Sequence, residues 1–274
     1  MPATLDQIVA AARKRASEAR SSADLRRLER LAGEHKPRGF RARLEKAARS
    51  GTAVIAELKK ASPSRGVIRS DFDVTKLAAE LESAGASALS VLTDEEFFQG
   101  SLANLQRASA ATRLPCLRKD FIVDEFQLLE ARANGADAVL LIVAALSQDE
   151  LVTLSRKSRQ LELDVLCEAH DEQELHGALD AGCYIVGVNS RDLRTFQVDL
   201  DTPQRLARLI PSNVFRVAES GIHSGEDIRR LRDVGYQAFL VGESLMKAAK
   251  PGAALSELLA SGAPNVQHTV RSAG

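Results

Sequence analysis

Tryptophan is absent from this chain of 274 residues, tyrosine occurs twice, and aromatics make up only 4%. A surface that stacks nucleic-acid bases needs exposed rings, so this scarcity argues against one. Charge of one sign is lacking as well, because 37 Lys and Arg balance 37 Asp and Glu. No global field draws the chain to nucleic acid or an anionic membrane, and electrostatic arguments must rest on local clusters. No apolar run approaches the roughly 20 residues of a membrane span. The N-terminus, MPATLDQIVAAARKRASEAR, lacks the unbroken apolar core of a secretory signal. Its basic character also fits a transit peptide, but its acidic residues and the apolar Leu5, Ile8, Val9 and Ala12 suit a surface helix better. The expectation is a cytoplasmic protein with no nucleic-acid and no membrane partner.

Cysteine is scarce too. Cys116, Cys167 and Cys183 are too few and too scattered for a disulfide framework or a zinc site. Cys116 and Cys167 lie in apolar runs and read as buried, inert thiols. The five histidines do not recur at ligand spacing, so no metal is expected. His170 and His223 read as loop residues. Asp71-Phe72-Asp73 reads as helix capping ahead of Val74 rather than as a metal pair.

What the chain does have is a repeat. After residue 50, short apolar runs alternate with polar loops and amphipathic stretches. The runs are Ala53–Leu58, Ala88–Leu92, Pro115–Leu117, Ala138–Val143, Leu163–Leu166, Ile185–Val188, Val214–Ala218 and Ala238–Val241. Continuously apolar strands alternating with helices indicate a parallel sheet covered on its outer face. Eight such units predict an α/β fold, a (β/α)8 TIM barrel, with an N-terminal helical extension. A doubly wound open sheet is disfavoured because no phosphate-binding glycine fingerprint follows the first strand. The expected division is a helical extension over 1–50 packing on the barrel, the barrel over 51–262, and a disordered tail over 263–274.

In such a barrel the C-terminal strand ends build the site. The first strand delivers Glu57 and Lys59, two apart and hence on one face. The second leads to Thr93, Asp94, Glu95 and Glu96, the third delivers Arg118, Lys119 and Asp120, and the fifth Glu168. The sixth ends in Asn189 and Arg191, the seventh in Glu219, Ser220 and Gly221, and the eighth in Gly242 and Glu243. Seven of eight exits are polar, which packing alone does not explain. Ser220-Gly221 and Gly242-Glu243 stand where barrels bind phosphate through backbone N–H groups. Glu243 is acidic at an anion site, so its side chain is expected to turn away. Lys119, among Glu57, Lys59 and Glu168, is expected to have its pKa moved into the range of a general acid.

Eight segments in order carry a family resemblance: IAELKKASPSRG (55–66), SVLTDEEFFQGS (90–101), LPCLRKDFIVDEFQ (114–127), GADAVLLIVAAL (135–146), VLCEAH (165–170), VGVNSRDLRTFQVDL (186–200), VAESGI (217–222) and FLVGESLM (239–246). With them the chain resembles the indole-3-glycerol phosphate synthases of tryptophan biosynthesis, over about residues 40–260. The resemblance implies a carboxy-lyase acting on 1-(2-carboxyphenylamino)-1-deoxyribulose 5-phosphate, without cofactor or metal. It implies Lys119 as the general acid at the sugar carbonyl and Glu168 as the carboxylate that handles protons in dehydration. Lys59 would hold the substrate carboxylate, with Glu57 orienting it. Asn189, Arg191, Glu219 and Ser220 would bind substrate, and Phe98 and Leu140 would line the slot for its aromatic ring. Ser62, Gly221, Gly242 and Glu243 would take the phosphate. A monomer is expected, with at most transient contact to other enzymes of the pathway.

Two other readings compete. The preceding isomerase of that pathway centres on a Cys–Asp pair with the cysteine ending strand one, where this chain has Glu57 and Lys59. A silent barrel scaffold would have lost one of the matched lysines or glutamates, and none is lost. On these residues Lys119→Met is expected to abolish turnover with little effect on folding, as a surface-like strand exit tolerates an apolar replacement.

Overall fold

Thr4 and Gln7 cap each other reciprocally and start α1 (Leu5–Ser22), in a computed structural model that describes residues 4–191, 198–199 and 201–263. The tail expected over 263–274 lies, past its first residue, outside the described residues. Two more helices precede the sheet, α2 (Leu25–Glu34) and α3 (Phe40–Ser50). The repeat then begins with β1 (Ala53–Leu58), whose loop folds into a small antiparallel ladder of β2 (Ala61–Ser62) and β3 (Gly66–Val67) before α4 (Val74–Ser83). Next come β4 (Ala88–Leu92), α5 (Glu95–Phe98), α6 (Leu102–Ala111), β5 (Cys116–Lys119) and α7 (Glu125–Ala133). The chain continues through β6 (Ala138–Ile142), α8 (Gln148–Gln160), β7 (Asp164–Ala169), α9 (Glu172–Asp180) and β8 (Ile185–Asn189). It ends with α10 (Asp201–Ala207), β9 (Phe215–Glu219), α11 (Gly225–Asp233), β10 (Ala238–Val241), α12 (Glu243–Lys247) and α13 (Pro251–Ser261). Among the described residues, β1 and β4 through β10 pair parallel and close into a barrel. As expected, Asp73 caps α4, accepting from the Thr75 and Lys76 backbone N–H groups.

Apolarity ended several strands too early. β5 runs on through Lys119, β7 through Ala169, β8 to Asn189 and β9 to Glu219. A ladder needs only backbone partners, so a strand persists where its side chains turn polar. Asn189 lies opposite Glu219, and Glu168 opposite both Ile142 and Gly187. The polar side chains therefore stand on rigid strands rather than on loops.

Two apolar layers follow from the alternation of each strand. Outward residues such as Val54, Leu89, Leu141 and Val186 pack under the helices. Inward residues such as Ile55, Leu117, Leu166 and Val217 fill the barrel axis. Phe40 and Leu44 of α3, fully buried, join this axial cluster near the strand starts, where the Arg41 backbone N–H donates to Asp164 at the head of β7. Leu5, Ile8 and Ala12 of α1 join it at the opposite end, with Phe121, Val123 and Ala145.

Asp137, just ahead of β6, ties the extension to the barrel. It accepts from the Arg38 backbone N–H at 2.7 Å, from Arg38 Nε at 3.0 Å and from the Cys116 backbone N–H at 2.7 Å, with His35 Nε2 at 3.2 Å. Burial alone would raise its pKa, but these donors hold it below the usual carboxylate range. Asp137→Ala is expected to cost about 3–5 kcal/mol at neutral pH. A depressed folded pKa stabilises above the unfolded value of about 3.9 and ceases to do so as pH falls through the folded one. The gap in Tm between wild type and variant should thus be wide at pH 7 and narrow below about pH 4. Equal Tm values at pH 7 would refute the tie.

The cysteine reading needs correcting. Cys167 and Cys183 form a disulfide, with Cα atoms 6.4 Å apart. Cys167 stands on the outward face of β7, and α9 folds back over that face to return Cys183 beside it. Sixteen residues look distant along the chain, but one strand-to-helix return spans them. Cys116 remains the buried free thiol among the described residues, its pKa pushed up to about 12 by burial.

Candidate active site

Inward carboxylates from two other strands converge on one ammonium. Lys119 at the end of β5 places its Nζ 3.0 Å from Glu168 Oε2 on β7 and 2.7 Å from Glu219 Oε2 on β9. Asn189 on β8 donates to Glu168 Oε1 at 3.2 Å. Glycine makes the room: a Cβ on Gly187, the inward β8 residue between them, would overlap Glu219 Oε1. On β1, Glu57 is buried and sits 2.6 Å from Lys59 Nζ, as their two-residue spacing predicted. A Cβ on Gly242 would fall 2.9 Å from that of Glu57, so Gly242 lets Glu57 sit at the mouth of β10.

Burial opposes every charge here, and the partners decide the outcome. For Lys119 burial alone would lower the pKa, but Glu168, Glu219 and Glu57 together raise it well above the ordinary lysine value. That is opposite in direction to the sequence expectation, because Lys119 faces three carboxylates rather than other cations. Glu168 is held far below the usual carboxylate range by Lys119 and His170 against its burial. Glu219 moves the other way, up to about 7, through burial and the neighbouring Glu168 charge. Lys119 and His170 thus favour the ionised form of Glu168, while burial and the Glu168 charge oppose that of Glu219. Lys59 and Lys119 bring the Glu57 carboxyl below its ordinary value, again against burial.

Around this centre one pocket is lined by Lys59, Ser62, Phe98, Leu140, Asn189, Arg191, Ser220, Gly221, Gly242 and Glu243, together with the four glutamate and lysine positions above. The structure thus brings all the site residues expected from the sequence into a single cavity. Its apolar wall is Phe98, Leu140, Leu92, Phe121, Ile142 and Leu240. The Phe98 and Phe121 rings lie 6.5 Å apart and tilted by 37°. Opposite, Ser220 and Gly221 both hold left-handed φ values, 66° and 71°. For serine that conformation costs on the order of 1–3 kcal/mol, and such strain collects at functional turns. Glu243, first residue of the short α12, ion-pairs with Arg65 at 3.2 Å, Arg191 at 3.3 Å and Lys247 at 2.6 Å. Its carboxylate is engaged by cations of the rim, which lower its pKa against partial burial.

Two neighbours, Arg118 and His170, differ from the sequence reading, and Asp94 follows it. Arg118 points out of the barrel, buried with Asp120 at 3.0 Å and Glu130 at 2.9 Å, because it alternates with Lys119. Asp94 lines the pocket from the β4 exit, caps α5 and is paired by Arg15 of α1. His170 is not a free loop residue: its ring is buried, 3.3 Å from Glu168 Oε1 and 2.8 Å from Glu174 Oε2. The alternation that joined Glu57 to Lys59 is the signal that would have found it. His223 does stay exposed, at the pocket edge.

Comparison with known proteins bears on what this cavity is for. The chain is 57% identical over 259 residues to the indole-3-glycerol phosphate synthase of Koribacter versatilis (strain Ellin345), covering 94% of this chain and 100% of that protein. It is 50% identical over 206 residues to that of Polaromonas naphthalenivorans (strain CJ2), covering 75% and 78%. Among solved structures, a 3-hexulose-6-phosphate synthase aligns at TM-score 0.62 and 14% identity over 77% of this chain and 99% of its own, a likeness of fold alone. The family profile "Indole-3-glycerol phosphate synthase" matches residues 5–258. With the fold, the relatives and the profile in agreement, the chain belongs to the indole-3-glycerol phosphate synthase family.

Proposed function

We propose that this protein closes the indole ring of 1-(2-carboxyphenylamino)-1-deoxyribulose 5-phosphate, giving indole-3-glycerol phosphate, carbon dioxide and water. The observation that carries this reading is a single ammonium, Lys119, held by two carboxylates beside an apolar slot. Carbon–carbon bond formation at the sugar carbonyl leaves negative charge on its oxygen. Lys119, charged throughout the neutral range, donates to that oxygen as the charge appears, and the hydroxyl so formed is less acidic than an ammonium. A raised pKa suits this role, since it keeps the proton on the donor until the alkoxide develops.

Lys59, with Glu57 at 2.6 Å, anchors the substrate carboxylate until it leaves as carbon dioxide. Dehydration then needs one group to accept a proton and another to supply one to the departing hydroxyl. Glu168, ionised, fits the first task, and Lys59, released from the carboxylate, fits the second; Asn189 and Glu219 hold the hydroxyl-bearing chain. Phe98 and Leu140 clasp the aromatic ring. Ser62, Ser220, Gly221 and the start of α12 at Gly242 and Glu243 receive the phosphate, and Arg191 sits between the two regions. No step requires a bond to the enzyme or a resident cofactor.

Fluorescence of the indole product reports turnover. Purified chain with that substrate alone should generate it without added metal or nicotinamide. Failure to form indole-3-glycerol phosphate from a folded protein would overturn the proposal. Cytoplasmic location and a monomeric state belong to the same proposal, to be checked by fractionation and light scattering.

A further inference from the structure

We propose that His170 is a positioning residue for Glu168: its ring, clasped by Glu174, backs the Glu168 carboxylate and holds it ionised and turned to Lys119. The inference rests on the proton-handling role proposed for Glu168. It begins from a symmetry in the chain. β1 leaves the barrel as Glu57-Leu58-Lys59, and β7 as Glu168-Ala169-His170. Each pair puts a cationic side chain two residues beyond a buried glutamate, on the same face. Lys59 opens into the main cavity, whereas His170 lines a second cavity that shares Asn189 with it.

The geometry is built from the helix upward. Asp171 caps α9 by accepting from the Glu174 backbone N–H at 2.8 Å. Glu174 Oε2 in turn lies 2.8 Å from His170 Nδ1 and accepts from the His170 backbone N–H at 2.8 Å. That fixes the ring with Nε2 3.3 Å from Glu168 Oε1. Nε2 is buried and has no aligned hydrogen bond, so the contact with Glu168 is chiefly one of charge. Glu168 Oε2 faces Lys119, so the carboxylate stands between two cations, one from inside the barrel and one from behind.

A histidine kept only to close the loop would need Glu174 alone. Here the two glutamates raise the ring's pKa to about 10, although burial alone would lower it, so the cation persists through neutral pH. Glu168 is faced also by Glu219 and Glu57 across the barrel, both of which oppose its ionisation. His170 is faced by Glu174 and Asp171 on α9, and by Asp199 and Arg205 across the small cavity. Without the His170 charge, Glu168 and Glu219 would compete for one ammonium.

The test is kcat and KM from pH 5 to 10 for the full chain acting on the proposed substrate, with His170→Gln, Glu174→Gln and Glu168→Gln. His170→Gln should lower kcat about tenfold at pH 6–7 and leave KM within about threefold. Its profile should lose the alkaline fall in kcat that sets in for wild type as the His170 ring deprotonates towards pH 10. Glu174→Gln keeps the ring in place and is the variant to read if His170→Gln does not fold. Glu174 raises the ring's pKa, so its loss should move the alkaline limb down. Limbs unmoved in both folded variants, or a change confined to KM, would overturn the inference. Glu168→Gln separates the two ideas. Wild-type kcat there would defeat the role of Glu168 itself, whereas an inactive Glu168→Gln beside unmoved limbs would defeat His170 alone.

Discussion

Lys119→Met is expected to lower kcat by about 10³-fold or more, because it removes the one cation held at the meeting point of β5, β7 and β9. The measurement is product fluorescence under saturating substrate, and near wild-type kcat would sink the assignment. The structure also revises the expectation that folding would be spared. Lys119 is not at a surface-like exit; it lies between Glu168 and Glu219, each almost fully buried. Removing it leaves Glu219 without a counter-ion and Glu168 with His170 alone, a loss on the order of 3–5 kcal/mol at neutral pH. The pH dependence has a definite sign. Without Lys119 the folded-state pKa of Glu168 rises, and that of Glu219, already above its unfolded value, rises further. Their protonated forms then stabilise the fold at low pH, and that contribution is lost as pH rises through the raised values. The deficit in Tm relative to wild type should therefore be largest above neutrality and shrink towards pH 5. A variant as stable as wild type at pH 8 would mean that the carboxylates do not depend on Lys119.

Glu168→Gln is the second large effect. An amide of the same shape keeps the contact with Asn189 within reach and leaves Lys119 with Glu219 at 2.7 Å. Proton transfer is lost while binding is kept, so kcat should fall about 10²–10⁴-fold with KM changed only a few-fold. A pure KM effect would count against the role. The same variant tests the coupling between the two carboxyls. The Glu168 charge is one of the causes that push Glu219 up to about 7. Once it is neutral, Glu219 should titrate at lower pH, visible as a downward shift of the carboxyl resonance in a ¹³C titration. In the wild type the observed transitions belong to the pair and not to either residue.

Much of the site was legible because barrels expose chemistry at a fixed place in each repeat. Once the eight apolar runs are counted, the polar residues and glycines at or within two positions of each run's end are candidates, and Glu57, Lys119, Glu168, Asn189, Glu219 and Gly242 emerge in order. Period-two alternation then places Lys59 with Glu57. The same rule, applied one strand further, would have separated Arg118 from Lys119 and joined His170 to Glu168. Those two were missed because a charge run and a lone histidine each had an adequate local explanation.

Other features were out of reach for a different reason. Helix faces and the order of functional residues are local, and the pattern along 274 residues determines them. The direction of a pKa shift is a sum over groups brought together from distant parts of the chain. Lys119 and Glu219 lie 100 residues apart, and their 2.7 Å contact turns the lysine away from the acidity expected of it. The Cys167–Cys183 bond and the hold of Asp137 on Arg38 arise in the same way, from strand-to-helix returns and from an extension that runs down the barrel before entering it. The sequence by itself thus determined the barrel, its family and which side chains meet at the strand exits. Only the tertiary structure decided which of them are charged, because burial and the nearest partner act through space and not along the chain.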